Sequence, residues 1–186
     1  MQPNKTKIVE ALNYLASKQE NHSLHTMKAY KLLWLADRYH VRQYGRTITH
    51  DDYYAMTHGV VPSVAKNILD NKGNMLKNHS NSIRLVNQYV YKTVSPCNRK
   101  VFSQTDIDVL DLIFEKFGHL TQQELSALSH EFPEWKRFEK LLHDFSQKSY
   151  KIKIEDFFTD YEEESGLFVD DDELLAITKE LSSEMN

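Results

Sequence analysis

The stretch TMKAYKLLWLADRYHVRQYG, residues 26–45, constrains the fold more than any other part of this 186-residue chain. At 100° per residue, Met27, Ala29, Tyr30, Leu33, Trp34, Ala36, Val41 and Tyr44 cover about half of a helix surface. Lys28, Lys31, Arg38 and Arg42 gather on the opposite arc, where a solvated face or a partner surface is expected. Asp37 falls near the middle of the apolar arc, with His40 beside it. A buried carboxylate without a partner is very costly, so Asp37 needs Arg46, His40 or a backbone N–H of residues 46–59 to hold it. Gly45 suits the stop of the helix.

Elements on either side follow the same logic. KIVEALNYLASK carries Ile8, Ala11, Leu12, Leu15 and Ala16 on one stripe and reads as an amphipathic helix. RTITHDDYYAMTHGVVPS breaks that period and predicts a short strand, a turn at Gly59 and a helix entered through Pro62 and Ser63. SIRLVNQYVYKTV holds two β-rich runs, a weak hairpin signal because Asn-Gly is absent. Ser103 caps QTDIDVLDLIFEKFG, the TQQE at 121–124 is a capping-box pattern, and PEWKRFEKLLHDF restarts a helix that carries Trp135. YKIKIEDFF fits strand and helix equally, and DDDELLAITKELSSEM reads as a further helix. The fold class expected is mainly α (α+β), a compact helical domain of about six helices with a small β hairpin or strand element near 53–58 and 82–94. The domain is expected over 1–150, with an acidic segment, 151–186, packed on it or extending from it.

Charge is unevenly distributed. The net charge is −4, yet residues 1–100 sum to +9 and residues 101–186 to −13. Residues 155–173 hold ten acids and no Lys or Arg, a solvated or interacting block that could also fold over the basic half. No apolar run is long enough to span a bilayer, and Met1 to Lys7 lacks a signal-peptide core. The single cysteine, Cys97, makes no internal disulfide, so a cytoplasmic location is expected. No membrane partner is expected, and the overall acidity weighs against nucleic acid.

Candidate chemistry is confined to HDDYYAMTH, where His50, Asp51, Asp52 and His58 crowd into nine positions. His22 and His25, or His50 and His58, have ligand-like spacing, but no cysteine pair accompanies them as in a structural zinc site. Adjacent acids on a strand or turn tend to point apart, which disfavours Asp51 and Asp52 as an acid–base pair. No phosphate-binding glycine loop or nucleophile elbow occurs. No catalytic residue, metal or cofactor is expected. A hydrolase or metal-dependent enzyme built on those four residues is the least favoured reading.

KLLWLADRYHVRQYGRTITHDDYYAMTHGVVPSVAKNI, residues 31–68, resembles the core of the SocA-like antitoxin or Panacea domain, a family long described only as a domain of unknown function. Matching positions are Lys31, Leu32, Leu33, Ala36, His40, Tyr44, Gly45, Arg46, Ala55, His58 and Gly59. LTQQELSALSHEFPEWK, residues 120–136, resembles the family's later helix pair, including His130 and Trp135. The family's G-P-V step is GVV here and its G-R-P step is GRT. No DNA-binding helix-turn-helix accompanies the domain, which argues against repression of its own operon.

The resemblance implies a non-enzymatic bacterial antitoxin, often on prophage-like elements, that neutralises a cognate protein toxin by direct binding. In the SocA branch it also implies delivery of that toxin to a cytoplasmic protease. A phage- or mobile-element-encoded regulatory module with another protein target is the alternative. Candidate partner-binding residues are Lys28, Lys31, Arg38, Arg42, Arg46, Tyr53 and His58. Asp37, His40, Gly45, Gly59, His130 and Trp135 are expected to serve the fold.

Overall fold

A computed structural model describes residues 2–144, 147–164 and 166–185. Helix α1 (Lys5–Ser17) starts at Asn4, whose side chain accepts the Lys7 N–H. Strand β1 (Ser23–His25) leads directly into α2 (Thr26–Tyr44), and Gly45 ends α2 in the left-handed region at φ +71°. A β-carbon on Gly45 would lie 2.8 Å from Leu181 Cβ, so the glycine also permits close packing of the later helix that carries Leu181. Strands β2 (Tyr53–Met56) and β3 (Gly59–Pro62) form a hairpin that runs into α3 (Ser63–Leu69). After two 3-10 turns come β4 (Ile83–Asn87) and β5 (Val90–Thr93). In place of Asn-Gly, the Asn87 side chain accepts the N–H groups of Tyr89 and Val90 to close that hairpin.

The second half is α4 (Gln104–Phe117), α5 (Gln122–Glu131), α6 (Pro133–Lys136), α7 (Glu139–His143), β6 (Ser149–Ile152) and α8 (Asp172–Met185). Capping boxes open α4, through Ser103 and Asp106, and α5, through Thr121 and Glu124. Two antiparallel three-stranded sheets result, in the orders β1-β5-β4 and β3-β2-β6. The fold is mainly α with these small sheets. YKIKIEDFF proves to be both of its readings in succession: β6 pairs with β2, and a 3-10 turn follows at Ile154–Phe158. The division expected at residue 150 therefore falls inside a strand. No helix among the described residues is long and apolar enough to cross a membrane.

The largest correction concerns α2. Its basic arc is enclosed rather than solvated: Lys31 is 1% exposed, and Arg38 and Arg42 are 0% exposed. The cause is the later part of the chain, which folds over that arc and brings carbonyls and carboxylates to it. Arg38 Nε donates to Glu134 Oε1 at 2.9 Å and its Nη2 to the Thr159 carbonyl at 2.5 Å, while the Phe132 and Phe168 rings flank its guanidinium at 4.8 Å each. Arg42 Nε donates to Asp170 at 2.6 Å, Nη1 to the Phe157 carbonyl at 3.0 Å, and Nη2 to Asp160. Phe157 and Phe168 are wholly buried. The acidic stretch is thus a strap pinned by two arginines and anchored by its own aromatic rings.

Candidate functional site

Asp37 sits at the centre of the molecule, fully buried. Its Oδ1 accepts the N–H groups of Ile48 at 2.5 Å and Thr49 at 3.0 Å, and its Oδ2 accepts the hydroxyls of Thr49 and Tyr53. The loop after α2 is thereby wrapped around one carboxylate. Burial pushes the Asp37 carboxyl up, against the pull of these four donors. Tyr53, expected on a partner surface, is 1% exposed because its hydroxyl is needed here. His40 and Arg46 do not reach Asp37 but turn to Asp106 on α4.

Asp106 is the second hub. Lys7 approaches it at 2.6 Å, Arg46 at 2.9 Å and His40 Nε2 at 3.2 Å, and it accepts the Ser103 N–H at 2.9 Å. Burial alone would raise its carboxyl, but the hydrogen bonds from His40, Lys7 and Ser103 prevail and hold it well below the ordinary aspartate value. A folded-state value below the unfolded 3.8 means the unfolded chain binds the proton more readily. The stabilisation is then complete above about pH 5 and is lost as pH falls through 4 and below. The melting temperature of the parent should fall across that window relative to an Asp106→Asn variant, whose own dependence should be flatter. Parallel curves would show that Asp106 carries no such linkage.

The HDDYYAMTH cluster comes apart in space. Asp51 caps α3 from outside that helix: its two oxygens accept the N–H groups of Val64 and Ala65 at 2.8 Å each, a task Pro62 cannot perform. Burial, only partly countered by these N–H groups, pushes its carboxyl up to about 6. Asp52 faces outward to Lys151 at 2.8 Å. His50 occupies a left-handed turn at φ +54° and bonds Thr47, whereas His58 is exposed on the β2–β3 turn. Strand β2 lies between the two histidines, roughly 13 Å of extended chain. Both Asp51 oxygens accept backbone N–H groups, and Asp52 is paired with Lys151. His22 bonds the Ser17 carbonyl, while His25 caps α2 through the Met27 N–H. Among the described residues no three His, Cys, Asp or Glu side chains converge as metal ligands. Cys97 is half-buried, and burial, with Glu10 nearby, pushes its thiol up to about 12, far from a reactive thiolate.

Around the β2–β3 turn the remaining candidates do converge. Lys31 Nζ donates to the His58 carbonyl at 2.6 Å, the Val60 carbonyl at 2.9 Å and Ser129 Oγ at 2.9 Å. Ser129 gives its own proton to the Ser126 carbonyl, so its oxygen must accept from Lys31. Three acceptors thus meet three ammonium protons, although burial drives the Lys31 amine well below its ordinary value. A β-carbon on Gly59 would lie 1.8 Å from Ser129 Oγ and 2.5 Å from Lys31 Nζ, so only glycine fits there, at φ +94°. Trp135 Nε1 donates to the Met56 carbonyl at 2.8 Å, and the His130 ring packs on Trp135 with centroids 4.1 Å apart.

Outside this clamp lie two grooves that share Met27 and His58. One, of about 440 Å³, is floored by Met27, Tyr30, Met56 and Val61 and edged by Lys66 and Lys148. The other, of about 490 Å³, runs past His25, Tyr89, Gln123, Ala127 and His130. Of the seven residues expected to meet a partner, His58 stands openly on this surface, and Lys31 lines it from below. Arg46 is half-buried on Asp106, and Lys28 donates to the Gly118 carbonyl at 2.6 Å. Sequence reasoning missed Asp106, Glu134 and Ser129. The signal for Glu134 was the surplus of cations on a helix that had to be buried; nothing in the pattern singled out Asp106 or Ser129.

Neither the curated proteins nor the solved structures yield a match to the chain. A family model does match, over residues 30–136, and its description is Antitoxin SocA-like, Panacea domain. The matched segment runs from the second turn of α2 to the end of α6 and contains Lys31, Asp37, Asp106, Gly59, Ser129 and Trp135. Covering more than half of the chain, and all of these hubs, it shows that the protein belongs to the SocA-like antitoxin, Panacea domain family.

Proposed function

We propose that the protein is an antitoxin that neutralises a protein toxin by binding it directly. The observation that carries this reading is the family match over α2–α6. The chemistry of the described residues agrees with a binding role, because the conspicuous acids each serve as a structural acceptor. Asp37 organises a loop, Asp51 caps a helix, and Asp106 gathers Lys7, Arg46 and His40.

Co-expression supplies the test. Induction of the gene adjoining that of this protein should arrest growth, and the protein should restore growth and co-purify with that gene's product. An adjoining product that is harmless, or one that stays toxic and unbound, would remove the reading. An immunoblot of the toxin separates two routes: a steady level means occlusion in the complex, whereas a falling level means delivery to a protease.

A further inference from the structure

We propose that the two grooves meeting at His58 form one docking surface, and that it takes a segment of the toxin in which an apolar side chain is bordered by carboxylates. This rests on the antitoxin reading above.

The lining supports both halves of that description. Met27, Met56 and Val61 give an apolar floor, and methionine adapts its shape to varied partners. The two volumes, about 440 and 490 Å³, are in the range of clefts that enclose a ligand of several side chains' bulk. None of the residues lining either groove is an Asp or Glu, whereas Lys31, Lys66 and Lys148 line the first. Lys31 Nζ donates to neutral oxygens alone, and burial drives its amine well below the ordinary value. Lys66 is paired with Asp70, which leaves the exposed Lys148 as the main source of positive potential. By contrast, the cleft beside the end of α4 is edged by Glu162, Glu163 and Glu164.

Rigidity favours the same surface. Its walls are the first turns of α2, the β2–β3 turn and α5, and Lys31, Ser126 and Ser129 tie these three elements together through the His58 and Val60 carbonyls. A surface held this way loses little entropy when a partner docks. Tyr30, Met56, His58, Val61, Ala127 and His130 lie within the family-matched residues 30–136, and Met27 and Lys148 flank them from outside that segment.

The test uses the full chain and the toxin product of the adjoining gene, purified as an inactive variant. Carboxylates are placed at exposed positions by His58→Glu with Ala127→Glu, and separately by Lys148→Glu. Lys77→Glu, exposed on the 3-10 segment after α3 and lining neither groove, makes a comparable change of charge as the control. The double variant should bind at least tenfold more weakly, Lys148→Glu severalfold more weakly, and Lys77→Glu like the parent. Melting temperatures should stay close to the parental value. If the double variant is poorly folded, Lys148→Glu alone decides the matter. A parent that binds and rescues while the folded groove variants do so equally well overturns the docking surface and leaves the antitoxin reading standing. Equal weakening by Lys77→Glu overturns it as well, because the effect would then be one of net charge. A parent that neither binds nor rescues removes both.

Discussion

Replacing Arg38 by alanine should destabilise the protein by about 3–5 kcal/mol, the usual cost of leaving one member of a buried ion pair alone. For a chain of this size that is a fall of about 6–20 °C in melting temperature. The loss has three sources. Glu134 would keep a carboxylate in a fully buried site without its partner, the Thr159 carbonyl would lose a donor, and the Phe132 and Phe168 rings would face a void. Burial already pushes the Glu134 carboxyl up and the Arg38 guanidinium down, each partly held back by the other. The double replacement Arg38→Met with Glu134→Leu should therefore recover a large part of the loss, since it removes both charges and refills the space. Thermal denaturation of the three variants checks this. A single variant that melts with the parent would show that the pair contributes nothing.

Asp37→Ala should cost about 2–6 kcal/mol, on the basis of two fixed backbone donors at about 1–3 kcal/mol each. The N–H groups of Ile48 and Thr49 cannot turn elsewhere, whereas the Thr49 and Tyr53 hydroxyls, 3.4 Å apart, can turn toward each other. Asp37→Asn separates geometry from charge. Its amide oxygen still accepts both N–H groups, and its NH₂ can donate to hydroxyl oxygens that turn to accept, so less than half the alanine loss is expected. Chemical denaturation of both variants measures the difference. An asparagine variant as unstable as the alanine variant would mean that the charge, rather than the hydrogen-bond count, holds the loop.

Legibility of the fold followed periodicity. Helices α1, α2 and α4 were readable because their apolar stripes recur at the helical angle, with Gly45 and Ser103 punctuating α2 and α4. Asp37 was readable as a buried acid by its place on the apolar arc. The three-residue strand β1 left no pattern to read, because its register with β5 is set by a partner 65 or more positions away. The basic arc of α2 misled for a physical reason: periodicity reports which side chains avoid water, but not which charged ones find counter-charges in distant sequence. Arg38 and Arg42 were therefore assigned to a surface they do not reach, Lys31 reaches it only from below, and His58 was the partner candidate whose exposure could be read from the turn. Tyr44 erred the other way: it fits an apolar stripe but is 43% exposed, on the last turn of α2.

The two arginines also fix when the molecule can be completed. Arg42 and Asp160 are 118 residues apart, and Arg42 and Asp170 are 128 apart. At about 5–20 residues per second, the ribosome adds Asp160 about 6–24 s after Arg42. During that interval α2 has left the synthesis machinery with Arg42 unneutralised and with no Phe157 or Phe168 to enclose it. The helix at the centre of the finished protein is thus among the last to be sealed. A ribosome that stalls between residues 136 and 160 would leave it open, on a chain that already carries every residue of the family-matched domain.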